Sequence, residues 1–576
     1  MASPKIPLAR YLFNRLLHHN VSHVYGVPGD FTLRTLDHLN ASGLRFIGCC
    51  NELNAGYAAD GYSRARRWRH GKGLGALITT YGVGELSAAN AVAGSYAEQV
   101  PMIHIVGTPS RGTLAMSAAS GSWDTSHRQI HHSMGDARVG VYREIAEKFT
   151  VAQLNLADVA SEQVPEQIEW VLSQALEYSR PVYVELPSDK VDQQVEDGSS
   201  QNFRSAVNMS QREAEKVHRL SQDLLQRIYS AQKPMILVDR AFGVEEFREE
   251  INDFVKKSGL PTLVLPSGAS MIDSDIPNYF GVHSGKIGYV DTTDFVRASD
   301  LILSFGGMFS DTQTLGWDTV PERDNLVIIE KGRIDETQVR AKEVVSKITG
   351  ELNPARLSSQ DTAVLGDHRL NKPKALSADG LINQTNFYLA LNPYLRDNDT
   401  IFLANATPIL GGRDFTLPPS SQIIASGMWF SIGHMLPAAL GAAQAQPHRT
   451  ILLDGDGSFQ VTAQELSTII HNRVNMTIFI INNGGYTYER LIHGRDEKYN
   501  EIAPWDYLAG PKFFGQPPEG YEVHTHRVRT WGELETVLKS RPFEKNEGLT
   551  LVDVVMDKYD IPEKARVVFE NAGKAL

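Results

Sequence analysis

The chain has 576 residues, of which 42% are apolar and 22% charged, and its net charge is 56 − 68 = −12. That length exceeds one hydrophobic core, and the acidic balance argues against nucleic acid or an anionic membrane as the main partner. The two cysteines, Cys49 and Cys50, are neighbours, so they build neither a disulfide framework nor, alone, a zinc site, which points to a reducing, cytoplasmic setting.

The opening stretch IPLARYLFNRLLHHN spaces Leu8, Leu12 and Leu16 at i, i+4 and i+8, the pattern of an amphipathic helix. Arg10 and Arg15 break the apolar run that a signal peptide needs, leaving a mitochondrial presequence as the alternative reading. No apolar stretch approaches the ~18 residues of a membrane span. Over 1–190, the β-rich runs HVYGV, RFIGCC, LGALITT, PMIHIVG and PVYVELP alternate with helical patterns, which predicts a parallel sheet covered on both faces. After the polar stretch QQVEDGSSQNFRSAVNMSQ the rhythm returns over 200–355, in PMILVD, TLVLPS, LILSFG and NLVIIE. After a second polar stretch it returns over 375–576, in TIFLAN, IIASG, TILLDGDG, MTIFIIN and LTLVDVV. The expected fold class is α/β, with three doubly wound domains and mainly parallel sheets.

The most informative segment is RTILLDGDGSFQVTAQELSTIIHNRVNMTIFIINNGGYTYE. A strand over 450–453 should end at Asp454. The next helix should bury Leu466, Ile469, Ile470 and Val474, with Thr462 and Glu465 as a capping box. Gly455, Asp456, Gly457 and Ser458 then lie at the carboxyl end of a strand, where α/β sheets bind ligands and backbone N–H groups favour phosphate. A second strand over 476–481 ends in Asn482-Asn483, 24 residues (458–481) after the Gly-Asp-Gly. If the two strands are neighbours, Asp456 and Asn483 meet. A carboxylate and an amide oxygen suit Mg²⁺ shared with a diphosphate.

This spacing resembles the signature of thiamine-diphosphate-dependent enzymes. GDGSFQVTAQELSTII, NNGGYTYERLIHG, CNELNAGYAADGYSRA, TTYGVGELSAANAVAGSYAE and HRQIHHSMGD resemble, in matching order, the pyruvate/indolepyruvate decarboxylase branch of the 2-oxo acid decarboxylases. The resemblance implies a pyrimidine-binding domain over 1–190, a middle domain over 200–355 and a diphosphate- and Mg²⁺-binding domain over 375–576. It also implies a homodimer or homotetramer with active sites between subunits. Asp456, Asn483 and the Gly485 carbonyl would ligand Mg²⁺. Gly455, Gly457, Ser458 and Thr407 would meet the diphosphate, and Ile432 would prop the bent cofactor.

Glu52 read alone is a helix-start carboxylate; by resemblance it hydrogen-bonds the cofactor's pyrimidine ring and activates it. Asp30, His131, His132 and Glu489 are individually ordinary turn or surface residues. Together they match the decarboxylase acid–base set, with Asp30, His132 and Glu489 serving the late proton transfers and His131 orienting. The implied reaction is non-oxidative decarboxylation of a 2-oxo acid to an aldehyde and CO₂ through a thiamine-diphosphate enamine. The alternative is acyloin-forming carboligation on the same cofactor. A dinucleotide-dependent oxidoreductase is disfavoured because Gly82-x-Gly84-x-x-Ser87 lacks the third glycine. A non-catalytic regulatory protein is disfavoured by the complete acid–base set.

Several positions depart from the family pattern. Ala404 and Asn405 replace a common Glu-Thr pair, Phe430 replaces a small residue, and Gly484 replaces an acidic one, which is expected to loosen its loop. Tyr488, with Ile409 and Leu410, is expected to line the substrate pocket. Trp123 belongs to an apparent insertion before the histidine pair.

Overall fold

The computed structural model describes residues 4–119, 128–136, 138–197, 209–413 and 415–566; Trp123 lies outside them. Each of the three rhythmic segments carries one sheet. The first is all parallel, in the spatial order Arg45–Gly48, His23–Gly26, Gly75–Thr80, Met102–Thr108, Pro181–Pro187, Gln153–Asn155. The chain adds strands first on one side of His23–Gly26 and then on the other, a switch point that opens a crevice at the strands' carboxyl ends. The middle sheet runs parallel from Tyr279–Val282 through Thr262–Val264, Pro234–Val238 and Leu301–Phe305 to Leu326–Glu330, with two short antiparallel strands on that edge. The third is all parallel, in the order Gln422–Ala425, Thr400–Leu403, Thr450–Gly455, Met476–Asn482, Leu549–Val555, Val523–Val528.

The chain divides into two compact units. One comprises Met1–Val207 with Leu436–Pro447 and Thr462–Val474; the other comprises Asn208–Met435, His448–Val461 and Asn475–Leu576. No described helix is long and apolar enough to cross a membrane.

In the first unit the opening helix, Leu8–His18, buries Leu8, Leu12 and Leu16 completely, as its spacing predicts. Arg15, which read as an interruption of the apolar run, is only 1% exposed and pairs with Glu169. Burial alone would raise the Glu169 carboxyl, but the hydrogen bonds and charges of His19 and Arg15 hold it below its ordinary value. A guanidinium with a fixed partner can thus replace an apolar contact in this core.

The expected capping box at Thr462 and Glu465 does not form. The helix Glu465–His471 takes Gln464 as its N-cap without a side-chain bond. Glu465 turns inward, fully buried, and accepts from Asn54 Nδ2 at 2.7 Å and from the Cys50 amide at 3.4 Å. Leu466, Ile469, Ile470 and Val474 are buried as expected.

Glu85, in the helix Val83–Ala97, is 5% exposed. Its Oε1 accepts the Gly82 N–H at 2.7 Å and its Oε2 accepts the Tyr183 hydroxyl at 2.6 Å. Burial pushes its carboxyl up to about 7, against the pull of those two hydrogen bonds and with a further push from Glu185. The folded-state value lies above the ordinary 4.5, so this group's contribution to stability is present at low pH and lost as pH rises through about 7. Glu85→Gln keeps an acceptor and removes the charge. It should therefore raise stability by up to about 3 kcal/mol at about pH 8.5 and change little at about pH 4.5. Urea unfolding at both pH values checks this; an equal shift at both would show that Glu85 does not titrate in this window.

Candidate active site

The third sheet places four chain segments along one edge. Asp456 opens the helix Asp456–Thr462 directly after the strand Thr450–Gly455, and Asn483 follows the neighbouring parallel strand Met476–Asn482. The structure brings the two together. Asp456 Oδ2 accepts the N–H groups of Asn483, Gly484 and Gly485 at 3.2, 2.7 and 3.1 Å, and Oδ1 accepts that of Gly457 at 2.8 Å. Burial raises the Asp456 carboxyl to about 6, and these four amides oppose a larger rise. The Asn483 side chain is buried and makes no hydrogen bond among the described residues.

Gly484 adopts φ +73° and makes the shortest of the three loop bonds to Asp456 Oδ2, while Gly485 takes φ +131°, where a side chain is strained. A Cβ at Gly485 would lie 2.3 Å from the Asn500 carbonyl oxygen. Arg490 is 3% exposed and donates to the Gly484 and Asn500 carbonyls at 3.4 and 3.2 Å. It braces the loop from beneath.

The other cofactor candidates flank this edge. Ser458 Oγ accepts the Gly433 N–H at 3.0 Å, which ties the half-exposed Ile432 to the Gly-Asp-Gly turn. Gly455 has open space at its missing Cβ, whereas a Cβ at Gly457 would meet the Tyr486 ring at 2.6 Å. Thr407 starts the helix Thr407–Gly412 and its Oγ1 accepts from Gln384 Nε2 at 3.2 Å. The preceding Ala406 is held at φ 71°, ψ −123°, a conformation that costs roughly 1–3 kcal/mol and concentrates at functional sites. Ala404 is fully buried, and Asn405 Oδ1 is buried without a hydrogen-bond partner. Sequence reasoning passed over Gln384 and Gly433, whose only signal is their place in the fold.

Below Thr407 an apolar crevice is lined by Leu403, Ile409, Leu410, Ile423, Phe430 and Tyr488, with Thr312 and Arg413 at its polar side. The Phe430 and Tyr488 rings sit 6.4 Å apart, tilted by 52°. Burial pushes the Tyr488 hydroxyl up, and its ring packs with Leu410, Ile561 and Ala565. Phe430 takes φ 57°. Glu489, next to Tyr488 in the helix Thr487–Ile492, is exposed.

In the first unit, Glu52 opens the helix Glu52–His70, which Asn51 caps by accepting the Asn54 N–H at 2.8 Å. Its Oε1 lies over Gly84, where a Cβ would be 3.2 Å away. Asp30 gathers both histidines: its Oδ2 meets His131 Nε2 at 2.6 Å, and its Oδ1 lies 3.7 Å from His132 Nε2. Burial raises the Asp30 carboxyl, but the His131 hydrogen bond and the histidine charges outweigh it and hold the pKa below the ordinary value. The direct partner is thus His131, which was expected only to orient. Phe31 stacks on His131 at 5.1 Å and 20°.

Three family models cover most of the described chain. The N-terminal TPP-binding domain of thiamine pyrophosphate enzymes matches residues 6–131, the central domain 221–352, and the C-terminal TPP-binding domain 410–554. The chain belongs to the thiamine pyrophosphate enzyme family. Within that family it is a 2-oxo acid decarboxylase by its likeness to whole relatives. It is 40% identical to a pyruvate decarboxylase of Aspergillus parasiticus, over 100% of both chains. It is 35% identical to one of Aspergillus fumigatus, over 98% of this chain and 97% of that one. It is 32% identical to pyruvate decarboxylase isozyme 1 of Saccharomyces cerevisiae, over 97% of each. These relatives favour decarboxylation over the carboligase alternative.

The loop that follows the strand Met476–Asn482 has a sharp test. Gly485→Ala should destabilise the protein by about 1–3 kcal/mol, because it places a side chain at positive φ against a backbone oxygen. A melting temperature equal to that of the parent would show that the loop does not hold this shape.

Proposed function

We propose that this decarboxylase converts pyruvate or a larger aliphatic or aromatic 2-oxo acid to an aldehyde and CO₂, in the cytoplasm, as a homodimer or homotetramer that uses thiamine diphosphate and Mg²⁺. The observation that carries this reading is full-length likeness to pyruvate decarboxylases, joined to a carboxylate cradle at the matching sheet edge. In this reading the segments 1–190, 200–355 and 375–576 work as pyrimidine-binding, middle and diphosphate-binding domains.

The residues present fit the cofactor and its metal. Asp456, the Asn483 amide oxygen and the Gly485 carbonyl are hard oxygen donors, as Mg²⁺ requires, and the Asn483 amide has no competing partner among the described residues. Thr407 Oγ1 accepts a hydrogen bond from Gln384 and would offer its hydroxyl to a phosphate oxygen when the cofactor is bound. Ser458, Gly455 and Gly457 lie on the same edge, and Ile432 supports the ring system. Thiamine diphosphate supplies, when bound, the electron sink for the pair released with CO₂.

The remaining work belongs to this chain's acids and bases. Glu52 is the carboxyl that shares a proton with the pyrimidine nitrogen. Asp30 and His131 share one proton across the 2.6 Å between Oδ2 and Nε2. With His132 and Glu489 they supply the proton that replaces CO₂ on the carbonyl carbon. Tyr488 and Phe430 narrow the crevice that takes the substrate's side chain, with Ile409 and Leu410 as its apolar wall.

The deciding experiment measures CO₂ release from short, branched and aromatic 2-oxo acids, with cofactor and Mg²⁺ present. Release from none of them would overturn the reading. Glu52→Gln should lower turnover at least about 100-fold with the fold intact by circular dichroism; near-normal turnover would remove Glu52 from cofactor activation. Tyr488→Ile widens the crevice and should raise kcat/KM for a branched or aromatic acid relative to pyruvate by about tenfold. An unchanged ratio would place the substrate's side chain elsewhere.

A further inference from the structure

The histidine pair is held from behind. His132 adopts φ 65°, a left-handed conformation uncommon for a residue with a side chain. Its carbonyl accepts the Tyr142 hydroxyl at 2.8 Å, the one hydrogen bond that this hydroxyl makes among the described residues. That carbonyl also packs on Gly82, where a Cβ would lie 2.0 Å from it and 3.1 Å from the Tyr142 hydroxyl. Gly82 is itself at φ +66°, with its N–H fixed by Glu85 Oε1 at 2.7 Å.

The aromatic rings continue the clamp. Tyr142 meets Tyr81 edge-on at 5.0 Å, Tyr81 meets Phe31 edge-on at 6.4 Å, and Phe31 stacks on His131 at 5.1 Å. The line runs unbroken from a buried tyrosine to the ring that faces Asp30. Tyr142 lies in the helix Val141–Ala146 and is 3% exposed. A buried tyrosine usually finds some acceptor, so burial alone says little. What singles this one out is the acceptor: the backbone of a residue in an unfavoured conformation, within the proton-carrying pair.

We propose that Tyr142 is a positioning residue, whose hydroxyl fixes the His132 backbone so that both imidazoles face Asp30. The inference rests on the assignment of His131 and His132 as proton carriers. Burial, with Glu85 and Asp136 nearby and Arg138 opposing, pushes the Tyr142 hydroxyl up, so it keeps the proton that it donates. Ring and hydroxyl have separable roles. The ring completes the aromatic line, whereas the oxygen alone sets the His132 carbonyl.

The test uses the holoenzyme with Tyr142→Phe, which removes one oxygen and keeps the ring. The expected result is a kcat about tenfold lower, the effect of about one lost hydrogen bond, with KM within about twofold and the melting temperature unchanged. The ¹³C resonances of histidine-labelled protein should also shift for His131 and His132. Gly82→Ala keeps the Tyr142 hydroxyl but sets a Cβ 2.0 Å from the same carbonyl oxygen and 3.1 Å from that hydroxyl, and should reproduce the kcat loss. Normal kcat with unmoved histidine resonances in Tyr142→Phe overturns the proposal, as does normal kcat in Gly82→Ala. His132→Ala separates the two readings. Full activity there would sink the catalytic assignment of the pair, while inactivity there with a silent Tyr142→Phe would sink only the positioning role.

Discussion

A carboxylate with four amide N–H groups aimed at it organises the strand-end half of the candidate site. Asp456 lies almost out of water, where an unpaired charge would be costly. Its Oδ2 draws in three consecutive amides from the end of the neighbouring strand. The loop cannot adopt that curve with ordinary residues, so two glycines at positive φ supply it. The Gly485 carbonyl and the Asn483 amide are placed as a result. The loop's own outward carbonyls are then met by Arg490, whose guanidinium needs no carboxylate because backbone oxygens surround it. One charge thus sets the backbone path and the brace beneath it.

The same edge carries two of the backbone strains among the described residues. Ala406 and Phe430 both sit at positive φ, and each stands within two residues of a cofactor candidate, Thr407 and Ile432. Holding them there requires firm packing on both sides, supplied by the fully buried strand Thr400–Leu403 and by the bond from Gly433 to Ser458. Strain kept at such positions is the expected cost of presenting fixed atoms to a ligand.

The sequence was most legible where chemistry is local. The strand-end Gly-Asp-Gly, the paired asparagines and the buried helix faces depend on spacing alone, and spacing is visible in a string of letters. The three parallel sheets follow from the alternation of apolar runs for the same reason. Arg15 and Glu465 misled because each is a charged residue whose burial is decided by a distant partner, Glu169 and Asn54. Gly484 misled in another way. Its side chain was weighed as a missing acid, whereas its backbone N–H is the group the fold uses. His131 and His132 could be found as a pair, but which imidazole reaches Asp30 is set by a backbone turn that the sequence does not display.

The path of the chain between its two units has a consequence for how such a protein can be divided. Strands Gln422–Ala425, Thr450–Gly455 and Met476–Asn482 belong to one unit, yet the helical segments Leu436–Pro447 and Thr462–Val474 that link them belong to the other. There they pack closely within that unit. Gly61 lies so close to Ala438 that a Cβ would come within 1.9 Å of its carbonyl oxygen, and Glu465 closes on Asn54. A fragment ending near residue 207 would expose that seam, and a fragment beginning there would carry two helices with nothing to pack on. The halves are therefore not modules that a gene could exchange whole. Any inheritance of one has to bring the interleaved stretches of the other with it.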